Sequence, residues 1–140
     1  MIKGIIFDFI NTLYDPEKKQ LFTGVLSLLK DLKTSGIKLG LLSYGSAGKI
    51  ELIRKLGLNE YFDKVAVTEE KSPAEFQLFL EQFKLNPDQI LVVGDRLDDE
   101  IKTGKSLGLI TVWISPQPNI TRTKFADFQI RSVTEVITFI

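Results

Sequence analysis

The chain has 140 residues, of which 44% are hydrophobic and 26% charged, which suits a single globular domain (residues 1–140) with a real core. Lys plus Arg and Asp plus Glu both number 18, so the net charge of zero gives no electrostatic footprint for nucleic acid or anionic lipid. There is no Cys and no His, which excludes Cys/His zinc sites, Ser-His-Asp and Cys-His catalysis, disulfides and thiol redox chemistry, and leaves carboxylates, hydroxyls, amines, backbone groups or a hard metal held by oxygen.

Short apolar runs at Gly4–Phe7, 37–42, 65–67, 90–93 and 109–114, each bounded by turn residues or charge, predict strands buried on both faces. Amphipathic stretches lie between them. Residues 21–34 carry Leu21, Val25, Leu28, Leu29 and Leu32 on one helical stripe. Residues 47–56 carry Ile50, Ile53 and Leu56, and Pro73–Phe83 carries Phe76, Phe79, Leu80 and Phe83. A more polar helix is predicted over 98–107. Ser72-Pro73-Ala74-Glu75 reads as a capping box with Pro at the first helical position. Gly36, Gly57 and Gly108 follow helical stripes and suit C-caps. Residues 86–89 predict a turn and 115–118 a loop. Residues 128–130 predict a last edge strand, and 132–140 a terminal helix with Ser132 and Glu135 as a capping box. No run approaches the roughly 18 apolar residues of a spanning helix. Together with the missing cysteines this points to a cytoplasmic protein.

Repeated strand–helix alternation predicts an α/β fold: a doubly wound, three-layer α/β/α parallel sheet with right-handed crossovers. Ligands of such sheets bind beyond the carboxyl ends of the strands, where the strand order reverses. The residues following the strands are therefore the ones to inspect. The first run ends in Asp8-Phe9-Ile10-Asn11-Thr12, the second in Ser43-Tyr44-Gly45, and the fourth in Gly94-Asp95-Arg96-Leu97-Asp98-Asp99-Glu100. Glu69-Glu70-Lys71 follows the third. Carboxylates delivered from different strands make a hard-cation site, best suited to Mg²⁺. A hydroxyl, a Lys and free N–H groups make a phosphate site. An Asp between the two is placed to attack phosphorus.

These residues resemble the motifs of the haloacid dehalogenase superfamily, in order, over residues 2–115. Asp8-Phe9-Ile10-Asn11-Thr12 is similar to the D-x-D-x-T motif, Ser43 to the Ser/Thr motif, and Lys71 to the Lys motif. Gly94, Asp95 and Asp99 match G-D-x-x-x-D, with Glu100 as a further acid. The resemblance implies Asp8 as nucleophile and Mg²⁺ held by Asp8, the Ile10 carbonyl, Asp95 and Asp99 through water. It implies Ser43 and Lys71 on the phosphoryl group, with Tyr44 beside them in the substrate site and Lys71 also catalytic. Glu100 reads as solvated or as an outer residue, Thr12 as a turn residue bonded to backbone, and Trp113 as core. A response-regulator receiver also phosphorylates an Asp, but there the phosphorylated Asp ends the third strand, and here that run ends Val67-Thr68-Glu69.

Two departures from the family pattern shape the functional expectation. The second Asp of D-x-D, which moves protons in the phosphatases, is Ile10 here. Loss of a general acid–base removes about 10²–10⁴-fold of rate. Asp15 is a conceivable substitute. The segments 12–21 and 56–71 have room only for a flap and a strand, so no cap domain is expected at either place. The open site suits a bulky or macromolecular phosphate, or a protein partner acting as lid, and the expected substrate is a phosphorylated small molecule or macromolecule. Two function classes follow. One is a Mg²⁺-dependent phosphomonoester hydrolase or phosphotransferase, slow or specialised, working through an aspartyl phosphate on Asp8. The alternative is a pseudoenzyme that binds Mg²⁺ and a phospho-ligand or a protein partner.

Overall fold

A computed structural model describes residues 1–115 and 124–140. The predicted loop over 115–118 falls outside them beyond Ser115. Six parallel strands form the central sheet in the order β5-β4-β1-β6-β7-β8. They are β1 (Gly4–Phe7), β4 (Lys38–Tyr44), β5 (Lys64–Thr68), β6 (Ile90–Gly94), β7 (Ile110–Ile114) and β8 (Phe128–Ile130). Two further strands, β2 (Tyr14–Asp15) and β3 (Gln20–Leu21), form a separate antiparallel pair. The chain winds outward from β1 through β4 to β5, then returns to the other side of β1 at β6. The strand order therefore reverses at β1, whose carboxyl end carries Asp8. Among the described residues no helix is long and apolar enough to cross a membrane.

Helices α1 (Val25–Thr34) and α2 (Ala47–Lys55) and a terminal 3₁₀ helix (Val133–Phe139) cover one face. Helices α3 (Pro73–Phe83) and α4 (Lys102–Ser106) lie on the other side. Alternation along β1 divides its side chains accordingly: Ile5 and Phe7 join the α1/α2 core, and Ile6 the α3 core. Gly40 in β4 shows how closely α3 approaches, since a Cβ there would stand 2.6 Å from the Phe79 ring. Phe79 is fully buried, so the missing side chain is what seats the helix on the sheet.

Several expectations need correction. The first helix begins at Val25 rather than residue 21, because Gln20–Leu21 pair with Tyr14–Asp15 and Gly24 sits at φ 86. Ile50 is 54% exposed, and Ile53 is the residue that α2 buries. β5 is an edge strand, only half-buried. The predicted 98–107 helix is broken: a π-turn over Leu97–Ile101 precedes a short α4, and Asp99 leaves helical geometry at φ −126 and ψ −106. Ser72 makes no side-chain cap bond; Glu75 N–H donates to the Ser72 carbonyl instead. The Ser132/Glu135 box does form, but on a 3₁₀ helix, where β-branched Val133, Thr134, Val136, Ile137 and Thr138 disfavour α-helix. A further box, Asn86 with Gln89, caps the 3₁₀ turn Pro87–Gln89. Gly36, Gly57 and Gly108 stand at φ 83, 74 and 84, as C-cap glycines should.

Between Asp8 and α1 the chain makes only the β2–β3 hairpin. Phe9 stacks on Tyr14 with centroids 5.2 Å apart, which ties the hairpin to the strand end. The Asp15 carboxylate accepts N–H bonds from Glu17 and Lys18 at 3.0 and 3.4 Å. Asp15 is thus used in its own turn.

Candidate active site

Register brings the first two acids together. Phe7 pairs with Val93 across adjacent parallel strands, and Asp8 N–H donates to the Val93 carbonyl at 2.9 Å. Asp8 and Asp95 therefore leave neighbouring strands at nearly the same level. Glu100 completes the group: carboxylate oxygens of Asp8, Asp95 and Glu100 all lie within 4.8 Å of one another. Glu100 is only 2% exposed, so the reading of it as a solvated or outer residue is corrected. Two local features turn it inward. The π-turn rotates it toward the sheet, and Gly94 leaves room, since a Cβ there would be 2.3 Å from Glu100 Oε1. The Arg96 N–H donates to the same oxygen at 3.3 Å.

Lys71 enters from the loop after β5. Its ammonium donates to Asp8 Oδ1 at 2.6 Å and lies 3.7 Å from Glu100 Oε2, with the side chain 1% exposed. Three carboxylates against one ammonium leave this pocket two negative charges in excess when all are ionised. Asp95 Oδ1 and Glu100 Oε2 are buried and accept no hydrogen bond. Unpaired buried oxygens and a charge of minus two fit a hard divalent cation. Without one, protons fill the role. Burial, then the hydrogen bond and charge of Asp8, push the Asp95 carboxyl up to about 6. Burial and the Asp8 charge push Glu100 up to about 8, against the pull of Lys71.

These shifts set a stability trend for the cation-free protein. Unfolded, Glu100 releases its proton near 4.5; folded, it holds the proton to about 8. Between those values the folded state binds more protons, so stability is full below the lower value and falls as pH rises through the upper one. Thermal melts in chelator are expected to show Tm declining from pH 5 to pH 8, and Glu100→Gln to flatten that decline. A melting temperature that rises over the same interval in wild type would contradict the arrangement.

The other sequence-predicted residues take distinct places. Ser43 is buried at the β4 end, lines the cleft and donates its hydroxyl to the Tyr44 carbonyl at 2.9 Å. Tyr44 lines the cleft too, and its hydroxyl donates to Asp99 Oδ2 at 2.5 Å. Burial and this partner push the phenol up to about 12. Asp99 stands outside the close carboxylate group, engaged by Tyr44 and by Arg96 at 3.8 Å. Ile10 is among the residues lining the same cleft, which has a volume of about 280 Å³, and it also packs partly against the α1/α2 core. The Thr12 hydroxyl is buried and has no hydrogen-bond partner, so the expected backbone bond is not made. Trp113 packs in the α3 core but also donates its indole N–H to the Asp95 carbonyl at 3.1 Å. Lys49 and Arg96, to which the sequence alone assigns no role, also line the cleft.

Residues 5–114 match the family model described as haloacid dehalogenase-like hydrolase. A glyceraldehyde 3-phosphate phosphatase from Methanocaldococcus jannaschii is 33% identical over 80% of this chain and 53% of its own length. A pyrimidine 5'-nucleotidase from Escherichia coli is 34% identical over 66% of this chain and 44% of its own. The chain spans about half the length of the curated relatives it matches. A crystal structure of a HAD phosphatase from Thermococcus onnurineus superposes with a TM-score of 0.85 over 99% of this chain and 97% of that one, at 18% identity, a likeness of fold. The chain belongs to the haloacid dehalogenase-like hydrolase family.

Proposed function

We propose that the chain is a Mg²⁺-dependent phosphomonoester hydrolase or phosphotransferase that works through an aspartyl phosphate on Asp8. The observation that carries this reading is the buried group of Asp8, Asp95, Glu100 and Lys71, with its excess negative charge and unpaired oxygens. The names of the similar proteins, phosphatases and a nucleotidase, support phosphorylated small molecules as the substrate class. Asp8, Asp95 and Glu100 would hold Mg²⁺, together with the Ile10 carbonyl, and Asp99 through water. The ion supplies charge neutralisation at the phosphoryl oxygens.

The chain's own residues do the rest. Lys71 and Ser43 orient the phosphoryl group, and Lys71 offsets the charge that develops on it. A carboxylate oxygen of Asp8 attacks phosphorus, and the bond from phosphorus to the leaving oxygen breaks. That oxygen departs with the electron pair and takes its proton from solvent, since Ile10 has none to give. Water then attacks the phosphoryl group, the bond to Asp8 breaks, and phosphate leaves; an alcohol in place of water makes the reaction a transfer. Aryl and acyl phosphates, whose leaving groups need little protonation, are the favoured esters.

An aliphatic residue, Ile10, at the place of the proton-moving acid supports a second reading, a protein that binds Mg²⁺ and a phospho-ligand without turnover. One assay separates the two. Wild type is expected to release p-nitrophenol from p-nitrophenyl phosphate with Mg²⁺ and to stop in chelator. Mg²⁺ binding by calorimetry without any release supports the second reading, and neither binding nor release sinks both.

A further inference from the structure

The cleft carries two cations that the phosphoryl centre does not use. Lys71 contacts Asp8 and Glu100 and serves the phosphoryl group itself, and with a divalent ion bound the inner group balances three carboxylates against the ion and one ammonium. Lys49 and Arg96 line the outer part of the same cleft from different elements, Lys49 in the first turn of α2 and Arg96 in the loop after β6. Among the described residues Lys49 makes no ion pair; its ammonium lies 5.8 Å from the Phe9 ring. The Arg96 side chain is 55% exposed, and its contact with Asp99 is long at 3.8 Å. Asp99 already accepts from the Tyr44 hydroxyl, which leaves most of the guanidinium donors unengaged. The Tyr44 ring stands between inner and outer cations, 4.9 Å from Lys71 Nζ and 5.9 Å from Arg96 Cζ.

We propose that Lys49 and Arg96 form an anion-recognising rim that selects small phosphomonoesters carrying a second negative group, a carboxylate or another phosphoryl, a few atoms from the ester. This rests on the phosphoryl site proposed above. A guanidinium fork matches either oxyanion in a two-pronged contact, and an ammonium from a second element adds a point charge. No cap lies over the cleft among the described residues, and Lys49 and Arg96 are the cations among the residues that line it.

Three phosphonates with the same three-carbon skeleton test this without turnover, because their carbon–phosphorus bond resists hydrolysis. Calorimetry on the Mg²⁺-loaded protein would compare 3-hydroxypropylphosphonate, 3-phosphonopropanoate and propane-1,3-diyl bisphosphonate. One or both doubly anionic ligands are expected to bind about ten-fold more tightly than the hydroxyl compound, the size of one charge-assisted contact. Which of the two gains shows whether carboxylate or phosphoryl is preferred. Lys49→Gln and Arg96→Gln are expected to erase the preference, and Lys49→Arg to retain it. Equal affinities for all three ligands would overturn the rim and leave the phosphoryl site standing. A preference untouched by both Gln variants would also overturn it. If none of the three binds, the phosphoryl site itself fails and the rim falls with it.

Discussion

Replacing Ile10 by Asp is expected to raise the Mg²⁺-dependent hydrolysis of alkyl phosphates by about 10²–10⁴-fold, the usual worth of a positioned general acid–base. Ile10 follows Asp8 by two residues and lines the same cleft, at the point where Phe9 and Tyr14 anchor the hairpin. A carboxyl group there can protonate the departing alkoxide, then take a proton from the water that attacks the aspartyl phosphate. Aryl phosphates should gain much less in the first step, because a phenolate leaves without help. The diagnostic quantity is therefore the ratio of kcat/KM for glycerol phosphate to that for p-nitrophenyl phosphate, which should climb in the variant. The alkyl rate should also gain, relative to wild type, a dependence on the ionisation of the new carboxyl in its pH profile. An unchanged ratio, with aryl turnover intact, would mean that position 10 does not face the leaving group.

The parts of this site that could be read beforehand are those fixed by strand register. Asp8 and Asp95 each follow an unbroken apolar run, and once the two runs pair in parallel their carboxylates must converge. Glu100 was not legible because its direction depends on a π-turn. In a regular helix Asp99 and Glu100 would point about 100° apart, and nothing in the spacing says which faces inward. The clue was Gly94, read only as part of a motif, whose missing side chain makes the space that Glu100 occupies. The Tyr44–Asp99 bond joins residues 55 apart in sequence and from different strand ends, so no local pattern announces it. The first helix failed at its start for a comparable reason. Leu21 continues the α1 stripe in spacing, yet pairing with Tyr14 and the positive φ of Gly24 take it into the hairpin. Tertiary pairing overrides periodicity where the periodic run is short.

Asp8→Asn is expected to lower aryl phosphate hydrolysis by on the order of 10⁴-fold or more, as loss of a covalent nucleophile does, and to abolish any phosphoenzyme. The substitution is nearly isosteric. The backbone N–H bond to Val93 is untouched, and an amide oxygen can still accept from Lys71. Removal of one negative charge also relieves Asp95 and Glu100, since the Asp8 charge is among the causes that raise both. The cation-free variant should therefore melt no lower than wild type at pH 8, which separates lost chemistry from lost fold. In wild type the absence of a base at Ile10 should let the aspartyl phosphate accumulate. Acid quenching during aryl phosphate turnover, followed by mass spectrometry, should find a phosphorylated peptide containing Asp8, and Ile10→Asp should shorten its lifetime by speeding the attack of water. If Asp8→Asn stays folded and retains the wild-type rate, the reaction does not pass through this carboxylate. The acidic group at the ends of β1 and β6 would then have to act on water directly.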